Sequence, residues 1–170
     1  RLPGVIADAL PDGWGMLLID RLFRKNNKPS PAALDRLAFL QNRTMGALTF
    51  EPGENQTLSQ QDVDLLQLAE EARLVLADRE STEALRELAL MGGSPHGARP
   101  KVLLNYDPIT TKVHSSEHAP GAPWLFKFPA QDEHKEVVAI EALYAEMARA
   151  AGLDMPDVVT CDLSPTLSAF

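Results

Sequence analysis

Apolar positions recur at helical spacing through the first half of the chain and gather into short runs in the second. Trp14, Leu17, Leu18 and Leu22 fall on one face at the three-to-four-residue spacing of an amphipathic helix, which is expected over residues 13–25. Asp12 stands where a capping carboxylate would meet that helix's first free N–H groups. Ser30-Pro31 reads as a cap followed by proline at the first helical position, and Leu34, Leu37 and Ala38 carry the helix to about residue 42. Residues 47–51 alternate apolar with polar and are expected as a short strand. Ser59, with Asp62 three residues on, reads as a carboxylate form of the capping box opening a helix to about residue 77. A further helix is expected over residues 81–90, stopped by Gly92-Gly93.

Beyond Gly92 the pattern changes. Residues 102–106 read as a strand and 111–114 as its hairpin partner. Residues 124–129, WLFKFP, form a third strand, apolar except for Lys127. The longest helix is expected over residues 133–151, with Val137, Ile140, Tyr144, Met147 and Ala151 as its buried stripe. Residues 158–163 and 167–170 read as two more strands. The expected class is α+β. Residues 1–91 are mainly helical, and residues 92–170 hold an antiparallel sheet with one long helix.

Between those parts lies the run MGGSPHGARPK, residues 91–101. Glycines let a backbone approach a ligand closely, and successive N–H groups in such a loop can form a concavity for phosphate. Lys101 adds a point charge at the end of the run. The loop follows a helix and precedes a strand, the reverse of a dinucleotide fingerprint, and it lacks the Gly-Lys-Ser/Thr of a Walker loop. On these features alone it reads first as a plain connection and second as a phosphate site.

Lys127 has two readings. It is either a solvent-facing charge that protects an edge strand or a lysine directed at a bound anion beside the loop. Glu141 falls beside the apolar stripe of the long helix, and reads either as a flank-exposed glutamate that needs no partner or as a half-buried carboxylate that calls for one. Lys127 is the natural one.

The net charge of −8 argues against a broad nucleic-acid surface. Cys161 is the only cysteine, so no intrachain disulfide forms and a reducing, cytoplasmic setting is expected. No apolar run is long enough to span a membrane. The four histidines have no cysteine at metal-ligand spacing, and His114 and His118 flank a loop, so no metal site is expected. The chain opens at Arg1 without methionine and ends on the apolar LSAF. It is expected to be a portion of a longer protein.

Loop, strand, hairpin, lysine strand and glutamate helix follow the order of the nucleotide lobe of a kinase-like fold. The sequence resembles the HipA family of bacterial toxin serine/threonine kinases. LPDGWGMLLIDR and LAFLQNRTMGALTFEP are similar to that family's N-terminal region. SPHGARPK resembles its phosphate loop, WLFKFP its lysine strand, and EALYAEMARAAGLDMP the helix that follows.

The resemblance implies transfer of phosphate from MgATP to a protein serine or threonine, with aminoacyl-tRNA synthetases as the target class. ATP and Mg are the implied cofactors. A helix-turn-helix antitoxin is the implied partner, and DNA enters only through it. The implied phosphate-binding residues are Ser94, Gly97, Ala98, Arg99, Lys101 and Lys127, with Glu141 positioning Lys127. Ser94 matches a serine that such kinases autophosphorylate, where added charge would exclude ATP.

The family's catalytic aspartate and asparagine, its metal-binding aspartate and its hinge motif have no counterpart here. Asp154, Asp157 and Asp162 match no catalytic motif. The chain is therefore expected to be inactive alone, as a helical subdomain and nucleotide lobe without the helical C-lobe. The alternative is a non-catalytic module that docks on a separate kinase or antitoxin. A metabolic enzyme with a phosphate loop is weaker, for want of a nucleophile–base pair.

Overall fold

The computed structural model describes residues 2–53, 58, 62–93, 95–115 and 118–170. The first half holds helices α1 (Gly4–Ala7), α2 (Gly13–Lys25), α3 (Ala33–Leu40), α4 (Leu65–Leu76) and α5 (Thr82–Gly92). The second half holds strands β1 (Lys101–Asp107), β2 (Lys112–His114) and β3 (Ala122–Lys127), helix α6 (Val137–Ala150), and strands β4 (Cys161–Ser164) and β5 (Leu167–Ala169). The class is α+β, with antiparallel pairing throughout the described sheets.

Sheet order is β2-β1-β3, with β4-β5 as a separate hairpin. Two backbone hydrogen bonds join the sheets at one residue pair. Lys127 N–H donates to the Phe170 carbonyl at 2.8 Å, and Phe170 N–H donates back at 3.0 Å. A single cluster of buried side chains runs through both halves. Trp14, Leu18, Ile19 and Leu22 of α2 meet Leu85, Leu88 and Ala89 of α5, and the cluster continues through Val102, Leu104 and Phe126 to Leu167 and Ala169. Burying each large apolar side chain of this kind stabilises the fold by about 1.5–3 kcal/mol.

The strand expected over residues 158–163 forms only over Cys161–Ser164, and four other expected elements differ. Helix α3 starts at Ala33, because the Asp35 carboxylate reaches back to accept the Ala32 N–H at 2.8 Å, and Ser30 lies outside the cap. Residues 47–51 form no strand: the Phe50 N–H bonds to the Gln41 carbonyl at 3.2 Å, and the Thr44 hydroxyl donates to the Leu48 carbonyl, folding the segment into a loop. Helix α4 begins at Leu65, capped by Asp64, whose carboxylate accepts from Leu66 and Gln67. Ser59 lies outside the described residues, and Asp62 instead pairs with Lys112 at 2.8 Å and His114 at 3.0 Å. The Lys112 hydrogen bond holds the Asp62 carboxyl below its usual range.

The fourth difference is the largest. Helix α6 starts at Val137 rather than residue 133, and buries only Val138 and Ala145. Of its expected buried stripe, Ile140, Tyr144 and Met147 are exposed, Tyr144 by 67 %. Periodicity located the apolar stripe correctly, but the neighbouring elements leave it uncovered.

The glycines that end α5 serve close packing as well as termination. Gly92 belongs to the helix, and a Cβ there would lie 2.3 Å from the Lys101 carbonyl oxygen. That approach brings the end of α5 directly against the start of β1.

Candidate functional site

The β1–β3 register sets Lys101 directly opposite Lys127. Paired positions share a sheet face, so two like charges stand side by side, an arrangement that costs stability unless something offsets it. Each lysine is offset differently.

Lys101 is only 4 % exposed. Its Nζ donates to the His96 carbonyl at 2.8 Å, and no carboxylate among the described residues forms an ion pair with it. Burial, and next the Lys127 charge, push its ammonium pKa below the ordinary value. Lys127 forms an ion pair with Glu141 Oε1 of α6, and its Nζ lies 5.0 Å from the Phe170 ring centroid, within cation–π reach.

Glu141 serves two cations. Its Oε2 accepts from Arg99 Nη1 at 2.9 Å, and Arg99 Nη2 reaches Glu133 Oε1 at 2.8 Å. Glu133 Oε2 accepts the Ala130 N–H at 2.7 Å. That backbone bond, with the Arg99 guanidinium, holds the Glu133 carboxyl below its usual range. The loop arginine is thus forked onto α6 and the turn before it, through the same glutamate that holds Lys127.

The loop is also held from the N-terminal side. Asp12 is the N-cap residue of α2 by position, but its carboxylate takes no bond from that helix. Instead the Gly97 N–H donates to Asp12 Oδ1 at 2.6 Å. The Trp14 N–H donates to the Gly97 carbonyl at 3.0 Å, and the Trp14 indole N–H donates to the Lys101 carbonyl at 3.0 Å. His96 Nε2 donates to the Leu10 carbonyl at 2.9 Å. Gly13, at φ +39°, abuts Gly97, at φ +99°, so closely that a Cβ on Gly13 would lie 2.7 Å from the Gly97 carbonyl.

The site residues named from sequence therefore fall as follows. Gly97, Ala98, Arg99, Lys101, Lys127 and Glu141 gather around the join of the loop, β1, β3 and α6. Ser94 lies outside the described residues. Sequence reasoning missed two participants. Local pattern places Asp12 at the start of its own helix and Glu133 in the first turn of the long helix. For Asp12 the available signal was the Asp-Gly-Trp-Gly run, which carries more glycine than a helix start requires.

Beside the loop lies an open cavity of about 360 Å³, lined by Asp8, Ala9, Met45, Pro95, His96 and Leu125. This is within the size range of small-molecule sites. Leu125 lies two residues before Lys127, so both project from the same sheet face. A second cavity, of about 180 Å³, is lined by Asp62, Asp64, Glu71 and Glu87 among others. Burial and the Glu71 charge raise the Glu87 pKa there, and the acidic lining disfavours phosphate.

Among the described residues no group of three or more His, Cys, Asp or Glu is placed to hold a metal ion. No described helix is long and apolar enough to cross a membrane. Asp157 lies 3.8 Å from Arg149 and Asp162 lies 3.3 Å from Lys135, both as ion pairs at the surface.

Two family models match the sequence. The model described as HipA-like C-terminal domain matches residues 93–168, and the model described as HipA N-terminal domain matches residues 1–51. The first spans the loop, both lysines and Glu141, and the second spans Asp12 and Trp14. No curated protein and no solved structure matches the chain.

Proposed function

This chain belongs to the HipA family, and we propose that it forms the phosphate-binding part of a HipA-type serine/threonine protein kinase, the toxin of a toxin–antitoxin pair. The supporting observation is the lysine pair. Lys101 and Lys127 face each other at the end of a glycine-containing loop, and a glutamate on α6 holds one of them. A nearly buried ammonium without a carboxylate is costly by itself and is relieved by an incoming anion.

In this reading residues 92–170 are a kinase-like nucleotide lobe. Lys101 and Lys127 neutralise the phosphates of ATP, and Glu141 fixes the direction of Lys127. The loop from Ser94 through Gly97, Ala98 and Arg99 covers the phosphates. Phosphate on Ser94 would bring about −1.5 to −2 charges into that space and exclude ATP. Mg, when bound with ATP, would add charge neutralisation on the phosphate oxygens. The protein substrate is of the aminoacyl-tRNA synthetase class, and a helix-turn-helix antitoxin is the partner.

Residues 1–170 contain no match to the family's catalytic aspartate motif. They are expected to bind ATP without transferring its phosphate. Calorimetric titration with ATP tests the reading: Lys127→Ala and Lys101→Met are each expected to weaken binding at least tenfold, by loss of a charge-assisted contact. Equal affinity of both variants and the parent would remove the lysines from the site.

A second reading, a non-catalytic module docking on another protein, draws support from the exposed Ile140, Leu143, Tyr144 and Met147 on α6.

A further inference from the structure

Both polar groups of the Gly97 residue are occupied by one short segment of the N-terminal half. Its N–H donates to Asp12 and its carbonyl accepts from the Trp14 N–H. The neighbouring contacts converge on the same segment: His96 onto the Leu10 carbonyl and the Trp14 indole onto the Lys101 carbonyl. A helix cap would spend the Asp12 carboxylate on α2 itself. Here it is spent across 85 positions of sequence, on the loop. Trp14 is almost fully buried and belongs to the core, so the segment rests on a rigid base.

We infer that residues 10–14 form a positioning element for the glycine loop, with Asp12 as its positioning residue. Several consequences follow from the geometry. The Gly97 N–H is engaged by Asp12, so Gly97 contributes the shape of the loop and Lys101 contributes the charge. The Trp14 indole, on the Lys101 carbonyl, fixes where that lysine leaves the backbone. The positive φ of both glycines and the 2.7 Å approach leave no room for a side chain at residue 13. The loop falls within the segment matched by the C-terminal-like family model, and residues 10–14 within the segment matched by the N-terminal one. The clamp is therefore a direct mechanical link between the two matched segments. That the positioned loop serves ATP rests on the function proposed above, whereas the clamp itself does not.

The test is hydrogen exchange at the amides of Gly97, Ala98, Arg99 and Lys101, with ATP affinity measured on the same samples. In Asp12→Ala these amides are expected to exchange about tenfold faster, from loss of one charge-assisted hydrogen bond, while the amides of α4 and α5 stay at parent rates. Asp12→Asn keeps an acceptor oxygen and is expected to restore much of the protection, a rescue that a general loss of stability would not give. ATP binding should weaken in Asp12→Ala and recover in Asp12→Asn. Unchanged exchange at Gly97 in Asp12→Ala overturns the clamp, as does an equal acceleration at every amide. If loop exchange responds as expected and the parent protein binds no ATP, the clamp stands and the nucleotide reading fails.

Discussion

Helices α2 and α6 have nearly the same length, 13 and 14 residues, and both carry an apolar stripe. They are attached to the molecule by different balances of packing and charge. Helix α2 buries Trp14, Leu18, Ile19, Leu22 and Phe23, and packs most heavily on α5. Helix α6 buries two side chains and is tied down through Glu141, which meets Lys127 on β3 and Arg99 on the loop. Apolar packing is not screened by salt and is nearly indifferent to what lies in the site. Ion pairs at about one-third exposure are weak, screened by salt and open to exchange of partner. The helix that faces the proposed phosphate site is thus the more loosely attached one.

The strongest way to break this contrast is to cut the packing side. Leu18→Ala removes a fully buried side chain and is expected to cost about 2–5 kcal/mol in urea unfolding, with the slope unchanged. A cost below 1 kcal/mol would mean that α2 is not the rigid support described. On the charged side, Glu141→Gln is expected to cost about 1 kcal/mol or less and to reduce the difference in stability between low and high salt. Helix α2 has charged contacts of its own, Arg21 and Lys25 lying 3.2 Å and 2.9 Å from the buried Glu80 carboxylate, but they add to a face that is already packed. The smallest effect is expected from Ile140→Ser with Met147→Ser. Both side chains are exposed, so thermal unfolding should shift by no more than about 0.5 kcal/mol. A larger loss would show that another surface covers α6 in solution.

The two helices also mark what the sequence could tell. The 3.6-residue period predicted α2 over the residues it occupies, and Trp14, Leu18 and Leu22 of its stripe are buried, with Leu17 half-buried. The same rule predicted a buried stripe on α6 and failed, because period reports that one side is apolar and says nothing of whether another element lies against it. Lys127 and Glu141 were legible as a pair: a lysine inside an apolar strand and a glutamate beside an apolar stripe each need a partner, and they lie 14 positions apart. The Asp12–Gly97 and Arg99–Glu133 contacts span 85 and 34 positions, and no local pattern encodes them. Asp12 had a sufficient local role as a cap, and a sufficient local role hides a distant one. Residues 47–51 failed for a related reason: alternation makes a strand only where a partner edge is free, and here the Phe50 N–H closes on the Gln41 carbonyl and the Leu48 carbonyl on the Thr44 hydroxyl.

The two hydrogen bonds between Lys127 and Phe170 bear on how a charge is delivered. Lys127 is paired on one flank with Lys101 through β1 and on the other with Phe170. Its main chain is the seam where two sheets are stitched together, so its Cα is held from both flanks. A long, supple side chain mounted on an immobile root behaves like a needle on a fixed pivot. To reach the proposed phosphate from Glu141 it needs only its own torsions, and no strand has to slide.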